Sequence, residues 1–300
     1  MVSAMLDLPP WVDGWCRGFL GARPVAALFV ASHLSEVIGV RLADGREVVV
    51  KRRVDASGRS RTCVTAQRLL AEHGFPCPIP LTAAIIDNGV AVHAEQFVGG
   101  GEIETRDTTA VARRSAVLLA DLVRRLATVD LDPPLPNPEW VRWDALPDRQ
   151  ATAAVPAWIE DTTSRVQAKL ARCDLTPVLG HADWEAQNMC WQRGKPLAVH
   201  DWDSLAWLPD AALAGTAAGV FASHDKPTLA PIESSAAFLD AYEAARGVRF
   251  TSYETEIAWA ASIWVALHNA RDESISTRPK LSYDQLEAQH IERLTRANAA

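Results

Sequence analysis

Two short apolar runs, residues 189–191 (MCW) and 197–200 (LAVH), flank a connector built on Arg193, Gly194 and Lys195. Two such runs about a glycine-bearing connector fold back on each other as an antiparallel hairpin. Fold-back brings the residue before the first strand, Asn188, next to the residue after the second, Asp201. Pro196 lacks the N–H that would close a two-residue turn around Gly194-Lys195, so a somewhat wider loop is expected. The flanks are crowded with oxygen donors and acceptors: His181, Asp183 and Asn188 on entry, Asp201 and Asp203 on exit.

That grouping suits one chemistry in particular. Mg2+ is a hard cation that takes oxygen ligands and accepts few of them from protein. One carboxylate (Asp201) and one amide oxygen (Asn188), with phosphate oxygens, would complete such a site. Asp183 lies five residues upstream of Asn188, on the turn into the hairpin, where it can reach an acceptor hydroxyl instead of the metal. Phosphoryl transfer asks for in-line positioning, an orienting carboxylate and neutralised phosphate charge. Asp183, Asn188, Asp201 and an upstream lysine, Lys51, would supply those functions.

Lys51 ends a β-branched run, Val48-Val49-Val50, and the residues before it form a hairpin about Asp44-Gly45. A helix is expected over 60–73, stopped by Gly74 and a Pro-rich turn. A second hairpin turns on Asn88-Gly89 and leads into Gly99-Gly100-Gly101, a candidate interdomain hinge. After the glycines the apolar period changes from two to about 3.6. Helices are expected over 108–129 and 155–172, with a Pro-rich break at LDPPLPNP, and over 211–223, 234–246, 253–272 and 283–297. The expected class is α+β: a small antiparallel-sheet lobe, residues 1–98, and a larger helical lobe, residues 99–300.

Composition excludes several alternatives. A net charge of −7 argues against a general nucleic-acid binder, which needs a basic face. The N-terminus has neither the basic start nor the apolar core of a signal peptide, and no run is long enough to span a membrane. Cys16, Cys63, Cys77, Cys173 and Cys190 are odd in number and show no CxxC spacing, which fits reduced thiols in a cytoplasm. Of the eleven tryptophans, Trp259 and Trp264 are expected in a core helix. Trp184, Trp202 and Trp207 flank the acidic loops, where aromatic faces can stack on a sugar or a cation. Glu185, Asp203, Asp210, Glu254 and Glu256 are candidates for an acidic substrate mouth.

HADWEAQN followed by VHDWDS resembles the catalytic and metal-binding loops of the aminoglycoside phosphotransferase family, small-molecule kinases with a protein-kinase-like two-lobe plan. The resemblance implies that Asp183 is the catalytic carboxylate and that His181 supports its loop. It makes Asn188 and Asp201 metal ligands, with Asp203 as a second acid at the metal. Lys51 would meet the nucleotide phosphates, and Glu95, Phe97 and Val98 would lie in the hinge whose backbone bonds the purine. Mg2+ and ATP or GTP are the implied cofactors, and the acceptor is a hydroxyl on a small polar molecule. Trp184, Glu185 and Trp202 are the residues offered for substrate contact. An aminoglycoside or aminosugar is favoured, with a neutral sugar, choline or homoserine as alternatives.

Two departures from the family pattern stand out. The place of the glycine-rich phosphate loop is filled by Ala31-Ser32-His33-Leu34-Ser35. The helix after Lys51 has no clear glutamate to pair with it; Cys63 or Gln67 stands near that place and Glu72 at the far end, so either Gln67 or another acid holds the lysine or the lysine is less tightly placed. That gap favours a rival reading, a nucleotide-binding module without turnover.

Overall fold

The computed structural model describes residues 8–32, 35–131, 135–143, 155–277 and 279–300. His33 and Leu34 of the phosphate-loop segment, 132–134 of the Pro-rich loop and 1–7 of the N-terminus lie outside the described residues. The chain divides into two compact units. One consists of Met1–Gly101, Val129–Pro136 and Leu197–Asp203, the other of Glu102–Thr128, Asn137–Pro196 and Ser204–Ala300.

In the first unit, β-branched residues fit a pleated, half-buried surface, and Val48, Val49 and Val50 form the buried middle of β3 (Glu47–Val54). This strand lies between β2 (Glu36–Leu42) and β5 (Val90–Gln96), antiparallel to both. With β1 (Pro24–Ser32) and β4 (Ile85–Asp87) they make a five-stranded sheet in the order β1-β2-β3-β5-β4. The turns fall where Asp-Gly and Asn-Gly placed them. Gly45 has φ 89°, and Asn88 and Gly89 have φ 48° and 73°, the left-handed pair of a tight hairpin. The helix α2 (Arg59–Glu72) follows β3.

The sequence reading assigns no element to Pro10–Leu20, which is a helix, α1. Gly14 and Gly18 lower its intrinsic propensity, so the helix depends on tertiary burial. Val12, Cys16 and Leu20, four residues apart, form the stripe that joins Ile38, Val40, Leu42, Val48, Val50 and Ala94 in one buried cluster.

The second unit is mostly helical: α3 (Thr109–Leu126), α4 (Ala157–Ala171), α5 (Asp210–Val220), α6 (Ile232–Arg246), α7 (Ser252–Ala261), α8 (Trp264–Ile275) and α9 (Leu281–Arg296). One helix expected over 253–272 is therefore two. Ser262 at the break donates its hydroxyl to the Trp259 carbonyl and accepts from Arg293. The backbones of α5 and α7 approach closely, so that a Cβ on Gly215 would lie 2.1 Å from the Ala258 oxygen. Trp259 and Trp264 are buried there, as expected of core residues.

Three short strands, β6 (Glu102–Ile103), β8 (Met189–Gln192) and β9 (Lys195–Val199), form one sheet in that order. The connector between β8 and β9 is tighter than expected. It turns on Arg193 and Gly194, at φ 51° and 75°, one residue earlier than the position that Pro196 would have obstructed. A further pair, β7 (Pro177–His181) and β10 (Leu205–Pro209), brackets the hairpin in sequence and sets His181 opposite Leu205. The whole is the α+β arrangement expected, an antiparallel sheet followed by a helical part.

Candidate active site

Strand alternation decides what Lys51 and its neighbours do. Residues i and i+2 share a face of a strand, so Lys51 and Arg53 point one way and Arg52 the other. Arg52 reaches Glu36 on β2 and lies over the Trp11 ring. Lys51 Nζ is 2.9 Å from Glu95 Oε1, and the Glu95 side chain is 2% exposed. Gln67 of α2 donates its amide to Glu95 Oε2 at 2.9 Å and to the Pro78 carbonyl at 2.8 Å. The lysine's acidic partner thus comes from β5, while α2 supplies an amide in support. Burial opposes charge on both groups, but their mutual attraction together with their other neighbours outweighs it: the Lys51 pKa is raised and the Glu95 pKa lowered. Asp201 and Asp203 add to the field at Lys51. Burial, and then Lys51, lower the pKa of His93 and His200, favouring neutral rings.

Glu95, expected in the hinge for its backbone, therefore acts inward through its side chain. The next hinge donors are engaged as well: Gln96 N–H donates to Ile79 O at 2.8 Å and Phe97 N–H to Glu47 O at 3.2 Å. Val98 follows directly, outside any strand and half-buried.

Beyond β9, Asp201 takes φ 57°, a left-handed conformation for a non-glycine residue. Trp202 is buried, with its indole N–H on the Val199 carbonyl at 3.0 Å and its ring edge-on to Phe75. The Asp203 carboxylate is paired with Arg53, and its main-chain oxygen accepts from Arg59.

In the second unit, β7 delivers His181 and Asp183 to the turn before β8. His181 is fully buried, its ring edge-on to Trp184 at 5.7 Å. The Asn188 amide nitrogen donates to both the carboxylate and the main-chain oxygen of Asp183, at 2.9 Å each. That leaves the amide oxygen of Asn188 as the atom suited to a cation. Glu185 is close enough to Asp183 that burial, and then the neighbouring negative charge, push its pKa up to about 8. Gln187 donates to its carboxylate at 2.8 Å.

Two aromatic residues offered for substrate contact are core residues instead. Trp184 is 1% exposed with its indole N–H on Ser115 Oγ, and Trp202 is 3% exposed. Neither presents a ring face to a ligand; the motif that places them beside acidic loops also needs apolar residues to hold those loops. Most of the acidic mouth is likewise engaged elsewhere. Asp210 pairs with Tyr242 and Arg246, Glu254 closes a capping box with Thr251, and Glu256 holds Lys169 and Asn298. Glu185 remains.

The sequence reading missed the Glu95 partner of Lys51 and the Arg53–Asp203 pair. Alternation along β3 and β5 carried a signal for the first, because Lys51 and Arg53 share one face of β3 and His93 and Glu95 share one face of β5. The pairing register of the two strands was not available from sequence.

A family model described as the phosphotransferase enzyme family matches residues 31–259. No curated protein matches the sequence. Among solved structures, an amicoumacin kinase in complex with AMP-PNP and Ca2+ aligns over 89% of this chain and 87% of its own, at 14% identity and TM-score 0.64. A spectinomycin phosphotransferase in complex with ADP and spectinomycin aligns over 97% and 94%, at 12% identity and TM-score 0.57. An aminoglycoside phosphotransferase from Alicyclobacillus acidocaldarius aligns over 99% and 98%, at 12% identity and TM-score 0.55. At these identities the likeness is one of fold.

Proposed function

Because this chain belongs to the phosphotransferase enzyme family, we propose that it moves the γ-phosphoryl group of ATP or GTP to a hydroxyl of a small polar molecule. An amine-bearing acceptor, an aminoglycoside or aminosugar, is favoured. The observation that carries this reading is the Asp183–Asn188 pair at the end of β7. It fixes a carboxylate at the motif position where the acceptor proton must go.

In this scheme Lys51, oriented by Glu95, meets the nucleotide phosphates. Asp183 accepts the hydroxyl proton as the acceptor oxygen bonds to the γ-phosphorus and the bond to the bridging oxygen breaks. Asp201 and the amide oxygen of Asn188 have the hard-oxygen chemistry that Mg2+ takes from protein. When bound, the metal neutralises charge on the transferring phosphate. His181, buried against Trp184, supports the turn that presents Asp183. Glu185, which keeps its proton near neutral pH through burial and the Asp183 charge, would give that proton up to pair with a bound ammonium group. Spectinomycin and amicoumacin name the acceptor class for two proteins of the same fold. Five unpaired cysteines suit a reducing cytoplasm.

The rival without turnover rested on the missing helix glutamate. Glu95 fills that place, which supports a competent lysine.

Turnover with Mg-ATP and Mg-GTP against aminoglycosides, aminosugars, neutral sugars, choline and homoserine, read by mass spectrometry, tests the proposal. A phosphorylated product that disappears with Asp183→Asn is expected. Nucleotide binding without product from any acceptor class would favour the rival, and no nucleotide binding would overturn both.

A further inference from the structure

Residues 201–203 are held from several sides within the first unit. Asp55, at the start of the β3–α2 connection, accepts the Arg59 and Ser60 N–H groups at 3.1 and 2.8 Å, which fixes the start of α2. From there the largely buried Arg59 guanidinium donates to the Asp203 main-chain oxygen, and at 3.2 Å to the Pro136 carbonyl. Arg53, on the same face of β3 as Lys51, pairs with the Asp203 carboxylate, whose side chain is 9% exposed. Trp202 between them is sealed against Phe75 and Val199. The residue left in an unfavourable conformation is Asp201, at φ 57°. A non-glycine residue in the left-handed region is strained and persists only where its surroundings over-determine it.

We propose that the Arg53–Asp203 ion pair is a positioning clamp: it fixes the loop on Asp201's C-terminal side, holds Asp201 in its left-handed conformation, and withholds Asp203 from the metal. The metal site then draws one carboxylate, Asp201, from this loop, and Arg53 and Asp203 act on it by fixing backbone geometry and not as ligands. Two arguments separate the clamp from direct ligation. A buried carboxylate already compensated by a half-buried guanidinium would have to break a charge-assisted pair to reach a cation. Arg59 also binds the main-chain oxygen of Asp203, a contact that restrains the backbone and does nothing for a metal. The functional consequence rests on the kinase reading; the pairing itself does not.

The test has two arms. In the first, Arg53→Met, Asp203→Asn and the double variant are unfolded in urea without nucleotide or metal. A clamp predicts that the double variant is no less stable than the worse single one, whereas additive losses would overturn the pairing. In the second, isothermal titration measures the Mg2+ concentration that half-saturates nucleotide binding. Positioning residues around a metal site typically change metal affinity by about tenfold or more. Arg53→Met and Asp203→Asn should therefore raise the Mg2+ requirement by similar factors, and Arg53→Lys should restore it most of the way. A rise confined to Asp203→Asn would make Asp203 a ligand and overturn the proposal. An unchanged requirement in both would reduce the pair to a structural contact. If Asp203→Asn does not fold, Arg53→Met against Arg53→Lys decides the second arm alone. Absence of Mg-nucleotide binding by the wild-type protein would count against the kinase reading, while the first arm still judges the clamp.

Discussion

Replacing Lys51 with methionine leaves the Glu95 carboxylate, 2% exposed, with the Gln67 amide and the His93 ring for company but no cation in contact. At 2.9 Å and an effective dielectric of about 20, the lost Coulomb energy is roughly 6 kcal/mol. Part of that is recovered, because Lys51 no longer has to be dehydrated and Gln67 keeps its hydrogen bond. Removing one partner of a buried pair generally costs about 3–5 kcal/mol, and that is the loss expected for Lys51→Met. Glu95→Gln should cost less, about 1–3 kcal/mol, because Asp201 and Asp203 still act on the lysine. Lys51→Met/Glu95→Gln together should cost well under the sum of the singles, by about 2 kcal/mol or more. Urea unfolding at pH 7, followed by tryptophan fluorescence without nucleotide, measures all three. The pH dependence gives a second check. In the wild-type protein the Glu95 pKa is lowered, so its contribution is present above the ordinary carboxylate value and is lost as pH falls. In Lys51→Met burial dominates and the folded protein retains a proton on Glu95, so the deficit against wild type should shrink toward pH 4. A Lys51→Met loss below about 1 kcal/mol, or strict additivity in the double variant, would refute the reasoning.

Two further predictions concern different parts of the chain. Glu185 has a folded pKa raised to about 8, so the folded state keeps a proton that the unfolded chain releases near pH 4.5. Stability should fall as pH rises between those values, by up to about 1.4 kcal/mol per unit. Glu185→Gln should flatten that slope in a series of urea titrations, and identical slopes would remove Glu185 as the cause. Gly215→Ala places a Cβ 2.1 Å from the Ala258 oxygen, so a loss of about 1–3 kcal/mol is expected from thermal or urea unfolding. Gly14→Ala meets nothing within 4 Å and should gain up to about 1 kcal/mol from helix propensity. Equal effects at the two glycines would contradict the packing of α5 on α7.

The parts legible in the sequence were those whose cause is local. Asp44-Gly45 and Asn88-Gly89 marked their turns because the left-handed φ values at Gly45, Asn88 and Gly89 select glycine or asparagine. The long amphipathic pattern of α3 announced itself through its period. The β8–β9 turn is tighter than Pro196 implies because it sits one residue earlier, on Arg193 and Gly194, where the missing proline N–H is not needed. The helix that periodicity alone continues is interrupted at Ser262, whose hydroxyl accepts from Arg293 of α9. Trp184 and Trp202 illustrate a different limit. Sequence proximity to acidic loops says nothing about which side of the loop faces solvent, and both indoles turned inward to Ser115 and Val199.

By itself, the sequence determined the kinds of side chain on offer and their order along the chain. Asp183 and Asn188 are five residues apart on one turn, and local backbone geometry suffices to join them. Lys51 needed the register of β3 against β5 to find Glu95, forty-four residues away. Arg53 needed the return of 201–203 to find Asp203. Pairings over such separations depend on which strands become neighbours and with what offset, and burial of the whole sheet selects that offset. Hence the motif residues could be read from the chain, whereas the partners that orient Lys51 and Asp203 were decided only by the tertiary structure.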